Sequence, residues 1–153
     1  MEMRRKDRQM SEEFAWDVVE RCEYAVLSMV TEAQLPYSVP LTIVRVGDSI
    51  YFHSAMEGRK ADCLRKNPNV CLACVGKTEI CQEKFTTLYE SAIVFGTVSE
   101  VVDSGEKTEI LRRLCLRYTP DAMENFEREL TASIRHTAIW KVTVQALSGK
   151  SNR

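Results

Sequence analysis

The sequence predicts a mainly β protein with flanking helices, built as an antiparallel barrel or sheet. Two observations carry this. About six strand-like stretches rich in β-branched residues follow one another through short turns, whereas parallel strands would need crossovers of about a dozen residues or more. Helical spacing is confined to the front of the chain, one short crossover and a region near the end, so no βαβ alternation develops.

The elements follow in order. "SEEFAWDVVERC" places a cap candidate, Ser11, before two acids and then apolar residues Phe14, Val18, Val19 and Cys22, which is helical spacing behind a start signal. "YAVLSMV" (24–30) reads as a buried strand and "TEAQLP" as a turn. "YSVPLTIVRV" (37–46) is a second strand. Pro40 cannot donate to a ladder, so this strand lies at an edge or is broken there. "GDS" closes a hairpin into "IYFHSA" (50–55). A short helix over 59–66 is stopped by Asn67-Pro68, and "NVCLACVG" is the next strand. "KTEICQEKF" is polar and irregular. "LYESAIVFGTVSEVV" is a long strand with a bulge or bend at Gly96. "SGEKTEILRRLCLRYTP" and "DAMENFERELTASI" are helices, the first ended by Pro120, with Met123 and Phe126 reading as core. "HTAIWKVTVQAL" is the last strand, with period-two alternation, and "SGKSNR" trails off.

At 153 residues, 44% apolar and 28% charged, the chain reads as one soluble domain over 1–153 whose core needs no staples. A net charge of −1 supplies no general attraction to nucleic acid or anionic membrane. The basic opening "MEMRRKDRQ" contains Asp7 and reads as a solvated segment. No apolar h-region follows it and no stretch approaches the length of a membrane span, so the cytoplasm is the expected compartment, with no nucleic-acid or membrane partner. Six cysteines in a chain of this length need not pair. "CLAC" (71–74) has zinc-like spacing, but residues i and i+3 of a strand face opposite sides and no second CxxC exists. No metal site is expected.

The chemistry points to "HSAMEGRK". Gly58 precedes Arg59 and Lys60 at a predicted helix start, where two cations lie against the dipole at a cost of about 0.3–1 kcal/mol each. Free backbone N–H groups, a glycine that permits close approach, a bidentate guanidinium and a compact ammonium make a phosphate cradle. The same pair also fits the solvated face of a short helix. Alternation puts Tyr51 and His53 on one side of the preceding strand and Phe52 and Ser54 on the other, with His53 and Ser54 at its end beside the cradle. The strand read as its hairpin partner carries Val39, Pro40 and Leu41, and a broken ladder there leaves peptide groups for a ligand's polar rim. A flat cofactor with a phosphorylated tail suits this arrangement.

"MRRKDRQ", "LPYSVPLTIV", "IYFHSAMEGRKADCLRKNPNVCL" and "YESAIVFGTVSEV", in that order and spacing, resemble the flavin-binding split-barrel superfamily of pyridoxamine 5′-phosphate oxidase, and within it the 5-nitroimidazole resistance (Nim-like) branch. The resemblance covers nearly the whole chain. It implies a six-stranded antiparallel split barrel that forms a homodimer, with FMN in a cleft built by both chains. By this resemblance Gly58, Arg59 and Lys60 would hold the phosphate, and His53 and Ser54 would line the ribityl and ring region. The backbone around Val39, Pro40, Leu41 and Thr42 would meet the polar edge of the isoalloxazine, and Trp140 would come from the partner chain. His53 matches the position linked to activity in some Nim-like proteins, which makes it the catalytic candidate. The C-terminal substrate-binding block of true pyridoxamine-phosphate oxidases has no match, so vitamin B6 oxidation is not expected.

The expected function is that of an FMN-dependent oxidoreductase. It would pass electrons from a transient NAD(P)H donor to a small oxidised substrate, a nitroaromatic being one example. No GxGxxG follows a strand, so the nicotinamide would visit the flavin face rather than occupy a Rossmann site. The alternatives are a flavin-binding carrier or sensor without turnover, and a haem-binding split barrel with His53 or His136 as axial ligand.

Overall fold

A computed structural model describes residues 3–153; Met1 and Glu2, which open the basic segment and the expected 1–153 domain, lie outside the described residues. Eight strands form one sheet: β1 (Gln9–Met10), β2 (Ala25–Val30), β3 (Pro36–Leu41), β4 (Val44–Val46), β5 (Ser49–Ala55), β6 (Asn69–Cys81), β7 (Thr86–Glu100) and β8 (Thr137–Ser151). Their order is β3-β2-β6-β7-β8-β5-β4, with β1 paired to β8, and every pairing is antiparallel. Helices α1 (Glu12–Arg21), α2 (Arg59–Lys66), α3 (Ser104–Tyr118) and α4 (Phe126–Ser133) flank it.

The two ends of this path, β3 and β4, are separated in the chain by only Thr42 and Ile43. Laid flat at about 4.8 Å per step, seven strands would hold β3 and β4 about 29 Å apart. A link of two residues reaches at most about 11 Å. The sheet therefore curls on itself. Inside the curl lie Leu27, Phe52, Leu72, Val94 and Trp140, closed at one end by Ala15, Val18 and Val19 of α1. A second cluster beneath α3 joins Ile110 and Leu114 to Tyr51 and Ile139.

Local chemistry explains the boundaries. Ser11 Oγ accepts from the Phe14 N–H at 3.2 Å and caps α1. Gly47, at φ +60, makes the β4–β5 turn. Gly96 sits at a register shift between β7 and β8, where an added Cβ would lie 2.4 Å from the Thr143 carbonyl oxygen. Helix α2 occupies the expected 59–66, and Cys71 and Cys74 point to opposite faces of β6.

Four expectations change. The 37–46 strand is broken at Thr42–Ile43, because its halves pair with different neighbours. The polar 77–81 segment is not irregular but continues β6 against β7, after an irregularity between Val75 and Thr78. The "SGKSNR" tail does not trail off at once, since β8 runs to Ser151. The basic opening is not merely solvated: Gln9 and Met10 pair with Lys150 and Gly149. The described strands thus number eight where six were expected. No described helix is long and apolar enough to cross a membrane, and no described group of three or more His, Cys, Asp or Glu could hold a metal ion.

Candidate functional site

The candidate site is built from the start of α2, the end of β5 and the outer edge of β3. Gly58 caps α2 at φ +122 and ψ 170, a conformation that favours glycine. Its carbonyl accepts the Asp62 N–H at 3.0 Å, and no side chain caps the first turn. A Cβ added at Gly58 would meet no atom within 4 Å, so the space before the helix start is open.

Arg59 is exposed and its guanidinium carbon lies 5.6 Å from the centre of the Tyr37 ring on β3. That contact brings the helix start against the edge strand. Lys60 is half-buried, and burial lowers its pKa. Among the described residues neither cation is in an ion pair with a carboxylate. Asp62 is the acid of the first turn.

The edge of β3 follows from one hydrogen bond. The Thr31 N–H donates to the Leu35 carbonyl at 2.9 Å and closes the β2–β3 hairpin. Antiparallel ladders alternate bonded and non-bonded pairs. Counting from Thr31–Leu35, the register makes Leu27–Val39 and Ala25–Leu41 bonded pairs, and Val30–Pro36, Ser28–Ser38 and Val26–Pro40 non-bonded ones. Both prolines therefore fall where an N–H would point away from β2, and no ladder bond is lost.

The backbones of Val39 and Leu41 are turned to β2, and their side chains pack on the core. The outward groups are the Ser38 N–H and the carbonyls of Pro36, Ser38 and Pro40. Thr42, just past the strand, makes no backbone hydrogen bond among the described residues. The strand paired with β5 in the hairpin is β4, so Val39, Pro40 and Leu41 do not lie on it.

His53 is exposed on β5, opposite Ile139. Partial burial, and then the Lys60 ammonium, lower its pKa, so the imidazole is neutral at pH 7. Ser54 and Trp140 are buried within the chain. Ser54 is 8% exposed and faces the core, where its Oγ accepts the Trp140 Nε1–H at 2.9 Å. Trp140 is 2% exposed within its own chain and presents no surface to a partner. Strand parity explains both placements: Phe52 and Ser54 share the inner face.

One corner thus holds Gly58, Arg59, Lys60 and His53 with Tyr37 beside Arg59, while Ser54 and Trp140 face the interior. Tyr37 was legible as the first member of the 37, 39, 41 alternation. On the outer side of α2, Arg59, Asp62, Cys63 and Lys66 face Thr31 and Leu35 across an open groove of about 690 Å³.

A family profile described as pyridoxamine 5′-phosphate oxidase matches residues 11–151. No protein with a curated description matches the chain. Among solved structures, the chain is similar to a candidate 5-nitroimidazole antibiotic resistance protein from Bacteroides thetaiotaomicron VPI-5482. That pair has TM-score 0.77 and 23% identity over 94% of this chain and 86% of the other. The flavocytochrome Anf3 from Azotobacter vinelandii has TM-score 0.82 and 20% identity over 99% and 72%. An FAD- and haem-binding protein from Mycobacterium smegmatis has TM-score 0.79 and 19% identity over 95% and 74%. At these identities the likeness is one of fold.

Proposed function

Since the chain belongs to the pyridoxamine 5′-phosphate oxidase family, we propose that residues 1–153 form one split-barrel domain that binds FMN and acts as a cytoplasmic homodimeric oxidoreductase. When bound, the flavin supplies the redox chemistry, taking electrons from NADH or NADPH and passing them to a small oxidised substrate such as a nitroaromatic compound. The match to the family and the flavin-binding neighbours support this reading.

The observation that carries it is the corner at Gly58. Among the described residues, two cations without carboxylate partners stand at the positive end of α2, before open space. Burial disfavours the Lys60 ammonium and lowers its pKa. A phosphate dianion removes that penalty and accepts from the free first-turn N–H groups. From Tyr37, where Arg59 rests, to Leu41 the strand runs about 13 Å. An elongated ligand with its phosphate at Arg59 and Lys60 thus extends along β3 towards Pro40 and Thr42. There the outward carbonyls accept and the Thr42 N–H donates, a mixed set that fits the polar edge of a flavin ring. His53, neutral at pH 7, offers one N–H and one lone pair beside the corner. Ser54 and Trp140 act from the core, by bracing β5.

The test is the absorption spectrum of the purified protein, with the released chromophore identified by mass and the particle size measured. A flavin spectrum bleached by NADH or NADPH without oxygen is expected, from a dimer. A flavin that is bound but never reduced would leave a carrier or sensor. A Soret band would favour the haem reading, which the two haem-linked neighbours motivate. Protein that stays colourless in excess FMN would sink the proposal.

A further inference from the structure

The sheet breaks where β3 passes into β4, and two side chains from the end of α3 hold the break. Tyr118 Oη donates to the Ile43 carbonyl at 3.0 Å and accepts the Ile43 N–H at 3.2 Å. Arg117 Nη1 donates to the same carbonyl at 2.8 Å. Its Nη2 donates to the carbonyls of Cys22 at 2.7 Å and Val19 at 3.2 Å, at the end of α1. Ile43 is fully buried, so both of its backbone groups need partners inside the protein. One phenol supplies what a neighbouring strand would. The chain can then leave β2 after Leu41 and join β5 at Val44, and the Thr42 peptide between is held at its far side.

We infer that Arg117 and Tyr118 are positioning residues for flavin binding: by clamping Ile43 they preset the Thr42 and Pro40 peptides that meet the ring edge. This rests on the FMN reading above. Neither side chain touches the cofactor, and their effect passes through the backbone. An arrangement set before the ligand arrives spares the ordering cost of binding.

The test compares wild type with Tyr118→Phe, which keeps the ring and loses both bonds to Ile43, and with Arg117→Lys. Dissociation constants for FMN and riboflavin are read together with the visible flavin band and its midpoint potential. The expected result is a loss of about tenfold for both ligands alike, the worth of about one hydrogen bond, with a shifted band and potential. A merely structural role would lower stability and leave band and potential unmoved in the flavin-loaded protein. A folded Tyr118→Phe with unchanged affinity and spectrum overturns the inference. Should that variant not fold, hydrogen exchange of the Ile43 amide in flavin-free wild type decides. Protection already present supports the clamp, and free exchange until FMN is added overturns it. Wild type that binds no flavin defeats the FMN reading and this inference together; flavin-binding wild type with an indifferent Tyr118→Phe defeats this inference alone.

Discussion

The Trp140 indole N–H donates to Ser54 Oγ at 2.9 Å, between diagonal neighbours on the paired strands β8 and β5, and Ser54 donates onward to the Ala55 carbonyl at 2.7 Å. The hydroxyl is the indole's partner in an otherwise apolar interior. Ser54→Ala strands that N–H, at a cost of about 1–3 kcal/mol. Urea unfolding should show a lower midpoint with an unchanged slope, and flavin affinity should hardly move. Wild-type stability combined with weak flavin binding would put Ser54 back beside the cofactor.

Removing the two cations should act on the phosphate alone. Charge-assisted contacts contribute about 1.5–3 kcal/mol each, so Arg59→Ala with Lys60→Ala should weaken FMN by at least about 100-fold. Riboflavin, which lacks the phosphate, should lose less than about threefold. Titration calorimetry with both ligands measures the ratio, and equal losses would contradict the cradle.

His53 gives a pH dependence with a definite sign. Its folded-state pKa lies below the ordinary 6.5, because burial and Lys60 disfavour the imidazolium. The unfolded chain therefore takes up a proton first. Stability is complete above the unfolded value and declines as pH falls through it towards the folded pKa. His53→Gln should flatten the decline of stability below the ordinary histidine range. An identical slope in the variant would assign that decline to other groups.

Gly96 is fixed by contact rather than by dihedral angle. A Cβ there would lie 2.4 Å from the Thr143 carbonyl and 2.8 Å from Val142 Cγ1, and the β8 backbone cannot retreat without breaking its ladder. Gly96→Ala should destabilise by about 1–3 kcal/mol or more, as overpacking does. Thermal unfolding indistinguishable from wild type would show that the bulge can absorb a methyl group.

Much of this architecture was legible along the chain. The Ser11 cap, the limits of α2, the Gly96 irregularity and the split faces of Cys71 and Cys74 all follow from rules acting over a few residues. The misreadings share a cause in tertiary structure. Beyond Val75, β6 lies mostly outside the core, so burial imposes no alternation on Lys77, Thr78 and Glu79. The break at Thr42–Ile43 falls inside the β-branched run Thr42-Ile43-Val44, and Tyr118, which bonds the Ile43 peptide groups, lies 75 residues away. At the corner, Gly58, Arg59 and Lys60 were readable because helix polarity is a local property. Trp140 shares the inner face with Val142, as strand parity dictates.

The prolines of β3 settle what may lie alongside it. Within β3, with Pro36 and Pro40 at two of its outward positions, that border offers carbonyls and a single amide hydrogen, that of Ser38. Another polypeptide cannot zip onto it, since a continuing ladder demands donors at regular intervals. The same two residues therefore close the border to fibril-like growth while leaving its carbonyls facing outward.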